Sequence, residues 1–196
     1  MPRPSPPADT SQRILDIAER LLQTRGYNAF SYADIAQALH ITKASLHYHF
    51  PTKAELGKHL IERYEQSFLR ALADIDKTGV AAEEKLRRYV GLYAKVLRND
   101  RMCLCGMLAA EYGTLPKPMK AELKHFFGEN ERWLAAVLAD GRTKGKLHFA
   151  GAAREVAQHL VGSLEGAMML ARSYADVARF EATAERLLGE LRIGRS

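Results

Sequence analysis

Two cysteines, one tryptophan and an aromatic share of 8% stand out as scarcities in this chain of 196 residues. Two cysteines are too few for the disulfide framework of a small secreted domain. Cys103 and Cys105 are also only two residues apart, a poor placement for an unstrained bridge, so a reducing compartment, the cytoplasm, is expected. Long apolar runs are missing as well. The longest uncharged ones, such as residues 102–110, fall far short of the ~20 residues that cross a bilayer. Alternating strand patterns are nearly absent. No set of residues has metal-ligand spacing, and neither a nucleophile elbow nor a carboxylate pair is present, so no cofactor or metal is expected and an enzyme is disfavoured. The segment G-R-T-K-G-K at 141–146 has three residues between its glycines where a phosphate loop has four. It also lacks the following Ser/Thr and reads as a basic helix end.

Hydrophobic residues make up 47% of the chain, enough to bury a sizeable core. The net charge of +6 permits nucleic acid as a partner without locating a site. Residues 1–60 carry seven basic and five acidic side chains, so they hold only +2 of that total. The opening M-P-R-P-S-P-P has prolines where a signal peptide places its apolar stretch, and residues 1–8 read as a disordered arm.

Apolar residues recur at helical spacing throughout and predict an all-α chain of about nine helices. The first covers about 10–25 and is closed by Gly26. Ser31 with Asp34 forms a capping signature for a second, which stops near His40. Thr42 can cap a third, which Pro51 terminates, and Thr52 with Glu55 opens a long fourth. Further helices are expected through Leu86–Leu97, over about 102–112, 118–144, 152–174 and 177–191. Three short helices within about 40 residues, two of them joined by a tight turn, suit a helix-turn-helix whose third helix enters a DNA major groove. Ile35, Ala36, Leu39, Ile41 and Leu46 would form its buried seam, leaving Lys43, Ser45, Tyr48 and His49 outward.

Residues 13–56 contain R-G-Y-N-A-F-S, D-I-A, I-T-K-A-S-L and H-F-P-T-K-A-E-L in order. As a set these resemble the DNA-binding head of the tetracycline-repressor (TetR) family. The resemblance implies a head at 9–55 and a helical ligand-binding and dimerisation domain at 56–196. It implies DNA contacts from Ser31, Tyr32, Thr42, Lys43, Ala44, Ser45, His47, Tyr48, His49 and Lys53, with Lys53 on phosphate at the start of the fourth helix. This chain departs from the family's usual pattern at His40 and Ala44, where glycine is common, and at His47, where tyrosine is usual.

Beyond the head, Leu160, Gly162, Gly166, Ala167, Phe180, Leu187, Leu188 and Leu191 are candidates for a homodimer interface. Residues 160–171 are apolar almost all round, broken by Glu165. Tyr93, Cys103, Met107, Tyr112, Phe126, Phe127, Trp133, Met168 and Met169 are candidates to line an effector pocket, with plain core as the competing reading. Arg98 and Arg101 near Cys103 and Cys105 suggest a thiol that senses electrophiles or oxidants, against which stands a buried small hydrophobe. The expected function is a DNA-binding repressor on a roughly palindromic operator, released by a small hydrophobic or electrophilic effector. The alternative is a dimeric DNA binder without an effector.

Overall fold

The computed structural model describes residues 7–192, and the proposed arm at 1–8 lies largely outside them. Nine α-helices and one short 3-10 turn account for the secondary structure there, with no strand among the described residues. They are α1 (Pro7–Arg25), α2 (Tyr32–Leu39), α3 (Lys43–His49), α4 (Lys53–Lys77), α5 (Ala82–Arg98), α6 (Leu104–Ala110), the 3-10 turn Tyr112–Thr114, α7 (Lys117–Thr143), α8 (Ala153–Ser173) and α9 (Val177–Glu190). The first helix starts three residues earlier than periodicity indicated. Pro7 is compatible with that position, because proline in a first turn gives up a donor with no intrahelical partner.

The chain forms two compact units, and the division differs from a cut at residue 55. One unit contains the described residues 7–65 together with Leu104–Lys124. Its core is Ile14, Ala18, Leu22, Ile35, Leu46, Leu56, Leu60 and Ile61, all inaccessible to solvent. Here α1 packs on α2 and α6, and α2 on α3. Ile35 and Ala36 on α2 and the single Leu46 on α3 supply the apolar contacts of the two short helices. No helix of eight residues is stable alone, so this shared burial holds the head together.

Gly57 is a point of obligatory contact. A methyl at its Cα would meet the Met119 Sδ at 2.6 Å, so α4 and the start of α7 touch through the missing side chain. Gly26 has φ of 95°, the left-handed turn expected after α1, and a Cβ there would lie 2.8 Å from the Glu111 carboxylate.

The second unit holds Gln66–Cys103 and residues 125–192. Its strongest packing is α8 on α9, with α5 against both. Leu160, Leu164, Met168 and Ala171 of α8 face Phe180, Ala184 and Leu188 of α9 inside this core, all buried. The basic segment at 141–146 is the end of α7 and a turn in which Gly145 has φ of 65°.

Candidate nucleic-acid interface

The geometry of the head follows from caps and one left-handed turn. The Ser31 backbone N–H and hydroxyl both donate to Asp34 Oδ2, at 2.7 and 2.6 Å, and fix the start of α2. These bonds hold the Asp34 carboxyl below its usual range, with the nearby Arg25 helping. At the other end His40 has φ 55° and ψ 42°, and the Ile41 N–H returns to the Ala36 carbonyl at 3.1 Å. Histidine therefore occupies a left-handed cap that glycine would fill without strain. The Thr42 hydroxyl oxygen accepts from the Ser45 N–H at 3.1 Å and starts α3 immediately after the turn.

Only Leu46 of α3 is buried. Lys43, Ala44, His47 and Tyr48 are exposed, Tyr48 to 80%, while Ser45 and His49 are half-buried. An aromatic side chain this exposed, on a helix anchored by one leucine, is available for a partner surface. His47 Nδ1 lies 3.0 Å from the Pro51 carbonyl, which can only accept, so Nδ1 carries the proton and Nε2 is left for another partner. An open recess of about 350 Å³ is lined by Phe30, Ser31, Tyr32, Ala33, Lys43, His47 and Lys53.

Three of the expected contact residues have partners within the head itself. Tyr32 is buried and its hydroxyl donates to the Phe50 carbonyl at 2.7 Å, tying α2 to the end of α3. Burial, with Tyr27 and Glu55 adding to it, pushes its pKa up to about 12. The Ser31 hydroxyl hydrogen is already given to Asp34. Lys53 donates to the carbonyls of Tyr27, at 2.5 Å, and Phe30, and its ammonium sits over both rings at 4.5 and 4.4 Å. Burial lowers its pKa, against the opposing pull of Glu111 and Asp34. Lys53 thus fastens the loop between α1 and α2. The matching fastener on that loop is Glu111, whose carboxylate accepts from the N–H of Tyr27 at 2.6 Å and of Asn28 at 3.3 Å. Sequence reasoning missed Glu111, since nothing local marks a residue 84 positions away as a loop clasp.

Residues 14–60 match the family model for bacterial regulatory proteins of the tetR family. Residues 82–187, more than half the chain, match that for the tetracyclin repressor-like C-terminal domain. The chain belongs to the TetR family. A solved TetR-family transcriptional regulator from Agrobacterium tumefaciens is 34% identical, with a TM-score of 0.93 over 96% of this chain and 100% of that one. Another from Legionella pneumophila is 32% identical, with a TM-score of 0.84 over 97% and 100%. Among characterised relatives, the transcriptional regulator AcuR of Cereibacter sphaeroides is 28% identical over 74% of this chain and 69% of its own length. This TetR-family protein is accordingly a DNA-binding transcriptional regulator with an all-α fold.

The candidate pocket residues of this regulator divide between the two units. Met107, half-buried, and Tyr112 belong to the unit with the head, and Tyr112 is 52% exposed with Lys120 over its ring. In the other unit Tyr93, Cys103, Phe126 and Met168 are buried, Phe127 and Trp133 half-buried, and Met169 is 49% exposed. A groove of about 320 Å³ in the second unit is lined by Leu69, Leu72, Ala73, Asp76, Glu129, Arg132, Trp133 and Ala136, and only Trp133 was foreseen. There the indole N–H donates to Asp76 at 2.8 Å.

The dimer candidates also divide, by exposure. Leu160, Ala167, Phe180, Leu188 and Leu191 are spent on the subunit's own core. Gly162 is exposed, Gly166 and Leu187 are half-buried, and a methyl added at either glycine would meet nothing within 4 Å. The outer side of α8 continues through Met169 and Leu170, 49% and 56% exposed, to Tyr174 just beyond it at 63%. Among the described residues no helix is long and apolar enough to cross a membrane, and no group of three or more His, Cys, Asp or Glu is placed to hold a metal ion.

Proposed function

We propose that this TetR-family regulator is a cytoplasmic homodimeric repressor, not an enzyme, and that it releases a roughly palindromic operator when a small organic effector binds its C-terminal unit. The observation that carries the DNA half of this reading is α3: a helix held by Leu46 alone, with Lys43, Ala44, His47 and Tyr48 exposed along it. A major groove about 12 Å wide admits such a helix. Lys43 and His47 also line the recess at the start of α2, where helix N–H groups favour an anion, and a backbone phosphate fits that chemistry. Ser45 and His49 complete the reading edge, while Ala44 offers a methyl to thymine. Tyr32 and Lys53 line the same recess and also hold the head in shape.

The second copy is proposed to cover the outer side of α8, where Gly162 and Gly166 let another helix approach and Met169 and Leu170 supply apolar area. Two heads then read half-sites about 34–36 Å apart or a multiple of that. An effector with unequal affinity for DNA-competent and DNA-incompetent states supplies a coupling of about 1–3 kcal/mol, or roughly 5–150-fold in operator affinity.

The test is operator binding as a function of salt. Lys43→Ala is expected to weaken binding and to lower the slope of log K against log[salt] by about one. Tyr48→Ala is expected to weaken binding with the slope unchanged. Both variants should melt like the parent, because neither side chain is buried. Full operator affinity in both would overturn the assignment of α3 as the reading helix.

A further inference from the structure

The recess lined by Ser31, Tyr32, Lys43, His47 and Lys53 has already given away most of its side-chain hydrogens. The Ser31 hydroxyl donates to Asp34, and the Tyr32 hydroxyl to the Phe50 carbonyl. Lys53 gives two of its three ammonium hydrogens to the Tyr27 and Phe30 carbonyls. A phosphate entering here accepts hydrogens and offers none. The donors it meets are therefore decided largely by the exposed Lys43 and by the state of the exposed His47 ring.

His47 is not a donor in its neutral form. A neutral imidazole has one N–H, and the Pro51 carbonyl, 3.0 Å from Nδ1, takes it. Nε2 then presents a lone pair, which repels a phosphate oxygen. Turning the ring over exchanges the two nitrogens and changes nothing, since whichever faces Pro51 holds the hydrogen and leaves the other bare. Only the imidazolium, with an N–H on each nitrogen, bonds Pro51 and an anion together. The Tyr32 ring, its centroid 4.9 Å away, packs against the imidazole from α2.

The charged groups around the ring come from three helices. Lys43 of α3 and Lys53 at the start of α4 share the recess with it. Asp34 of α2 and Glu111 act on Lys53, and Glu55 of α4 acts on Tyr32. The bonds from Ser31 hold the Asp34 carboxyl below its usual range, and burial pushes the Tyr32 hydroxyl up to about 12. Asp34 therefore stays ionised and Tyr32 protonated across the range in which histidines change charge.

We propose that His47 binds a DNA backbone phosphate as its imidazolium, so that each head takes up one proton from solvent when it closes on the duplex. Nδ1–H donates to the Pro51 carbonyl and Nε2–H to a phosphate oxygen. This rests on the reading of α3 as the DNA-binding helix and makes a proton the co-ligand of that helix. A complex that holds more protons than its separate parts gains affinity as pH falls. A neutral ring that instead moved its hydrogen to Nε2 and gave up Pro51 to water would bind without any such dependence.

The experiment is fluorescence anisotropy of the full chain with a labelled random-sequence duplex, from about pH 8 to 6 at fixed ionic strength. Such a probe suffices because backbone contacts carry no sequence information. Affinity is expected to rise about five-fold or more for each head over this range. His47→Gln should lose that gain and His49→Gln should keep it. The slope of log K against log[salt] should also be steeper at pH 6 than at pH 8 by about one for each head, and equal at the two in His47→Gln.

A gain as large in His47→Gln as in the wild type, a gain that follows His49, or a salt slope indifferent to pH would each overturn the proposal. His47 is exposed, so the variant is expected to keep its helical circular dichroism. If it fails to fold, the wild-type salt slopes at the two pH values decide alone. Salt-sensitive binding that is blind to the charge on His47 removes the proton and leaves α3 as the reading helix. No salt-sensitive binding at any pH removes both.

Discussion

Replacing Glu165 with glutamine should make the protein more stable at pH 8 and leave it nearly unchanged at pH 4.5. Burial lifts the Glu165 carboxyl from its ordinary value of 4.5 to about 7 in the folded chain. A raised acid contributes stability that is fully present below the unfolded value and lost as pH rises through the folded one. Between pH 4.5 and about 7 the unfolded chain ionises this group and the folded chain resists. At 1.36 kcal/mol per pH unit, the folded state forfeits roughly 3 kcal/mol by the alkaline side of that window.

Glutamine has the same shape and no charge, so the variant escapes this loss. For a chain of this size each kcal/mol moves the melting temperature by about 2–4 °C, which gives a difference of roughly 6–12 °C at pH 8. Tyr89 and Tyr93, which feel the Glu165 charge, are held well above the ordinary tyrosine range by burial and stay protonated throughout. The assay is thermal denaturation of both proteins from pH 4.5 to 8.5, read as a difference at each pH. A difference that does not change with pH, or a variant less stable at pH 8, would refute the argument.

Other consequences lie in the head and on α8. Lys53→Met keeps the side chain's length but removes the charge-assisted bonds to the Tyr27 and Phe30 carbonyls, each worth about 1.5–3 kcal/mol, so denaturant melts should show the loss directly. His40→Gly should stabilise by up to about 1 kcal/mol, because glycine accepts φ of 55° without a Cβ penalty, and the same melts should show a gain. Gly166→Arg together with Leu170→Asp should shift the protein toward monomer in sedimentation equilibrium while leaving its helical circular dichroism intact.

Much of the fold was legible because helices announce themselves through spacing and caps. Ser31 with Asp34, Thr42, Gly26 and Pro51 marked the head's boundaries to within a residue or two. His40 stands where the resembling family commonly has glycine, and its φ of 55° is the left-handed turn that glycine would serve there. The individual contacts were less legible, since sequence gives the residue and not the direction of its side chain. Lys53 was expected on phosphate, and two carbonyls of a loop more than 20 residues earlier claim it instead.

The C-terminal unit shows the same limit in another form. Small and apolar residues on α8 and α9 fit a partner surface or a private core equally well, and only packing assigns Phe180 and Leu188 to the core and Gly162 to the outside. Glu165 did carry a signal. It is the one acid in an otherwise apolar stretch of α8, but its neighbours Tyr89, Tyr93 and Cys103 lie more than 60 residues away in the chain.

Selection of duplexes from a random pool by the purified protein tests the central claim most directly. The account predicts enrichment of a two-fold symmetric sequence, held less tightly as salt rises and lost when Lys43 and Tyr48 are both alanine. Enrichment of no sequence, with no salt-sensitive binding to any duplex, would contradict it.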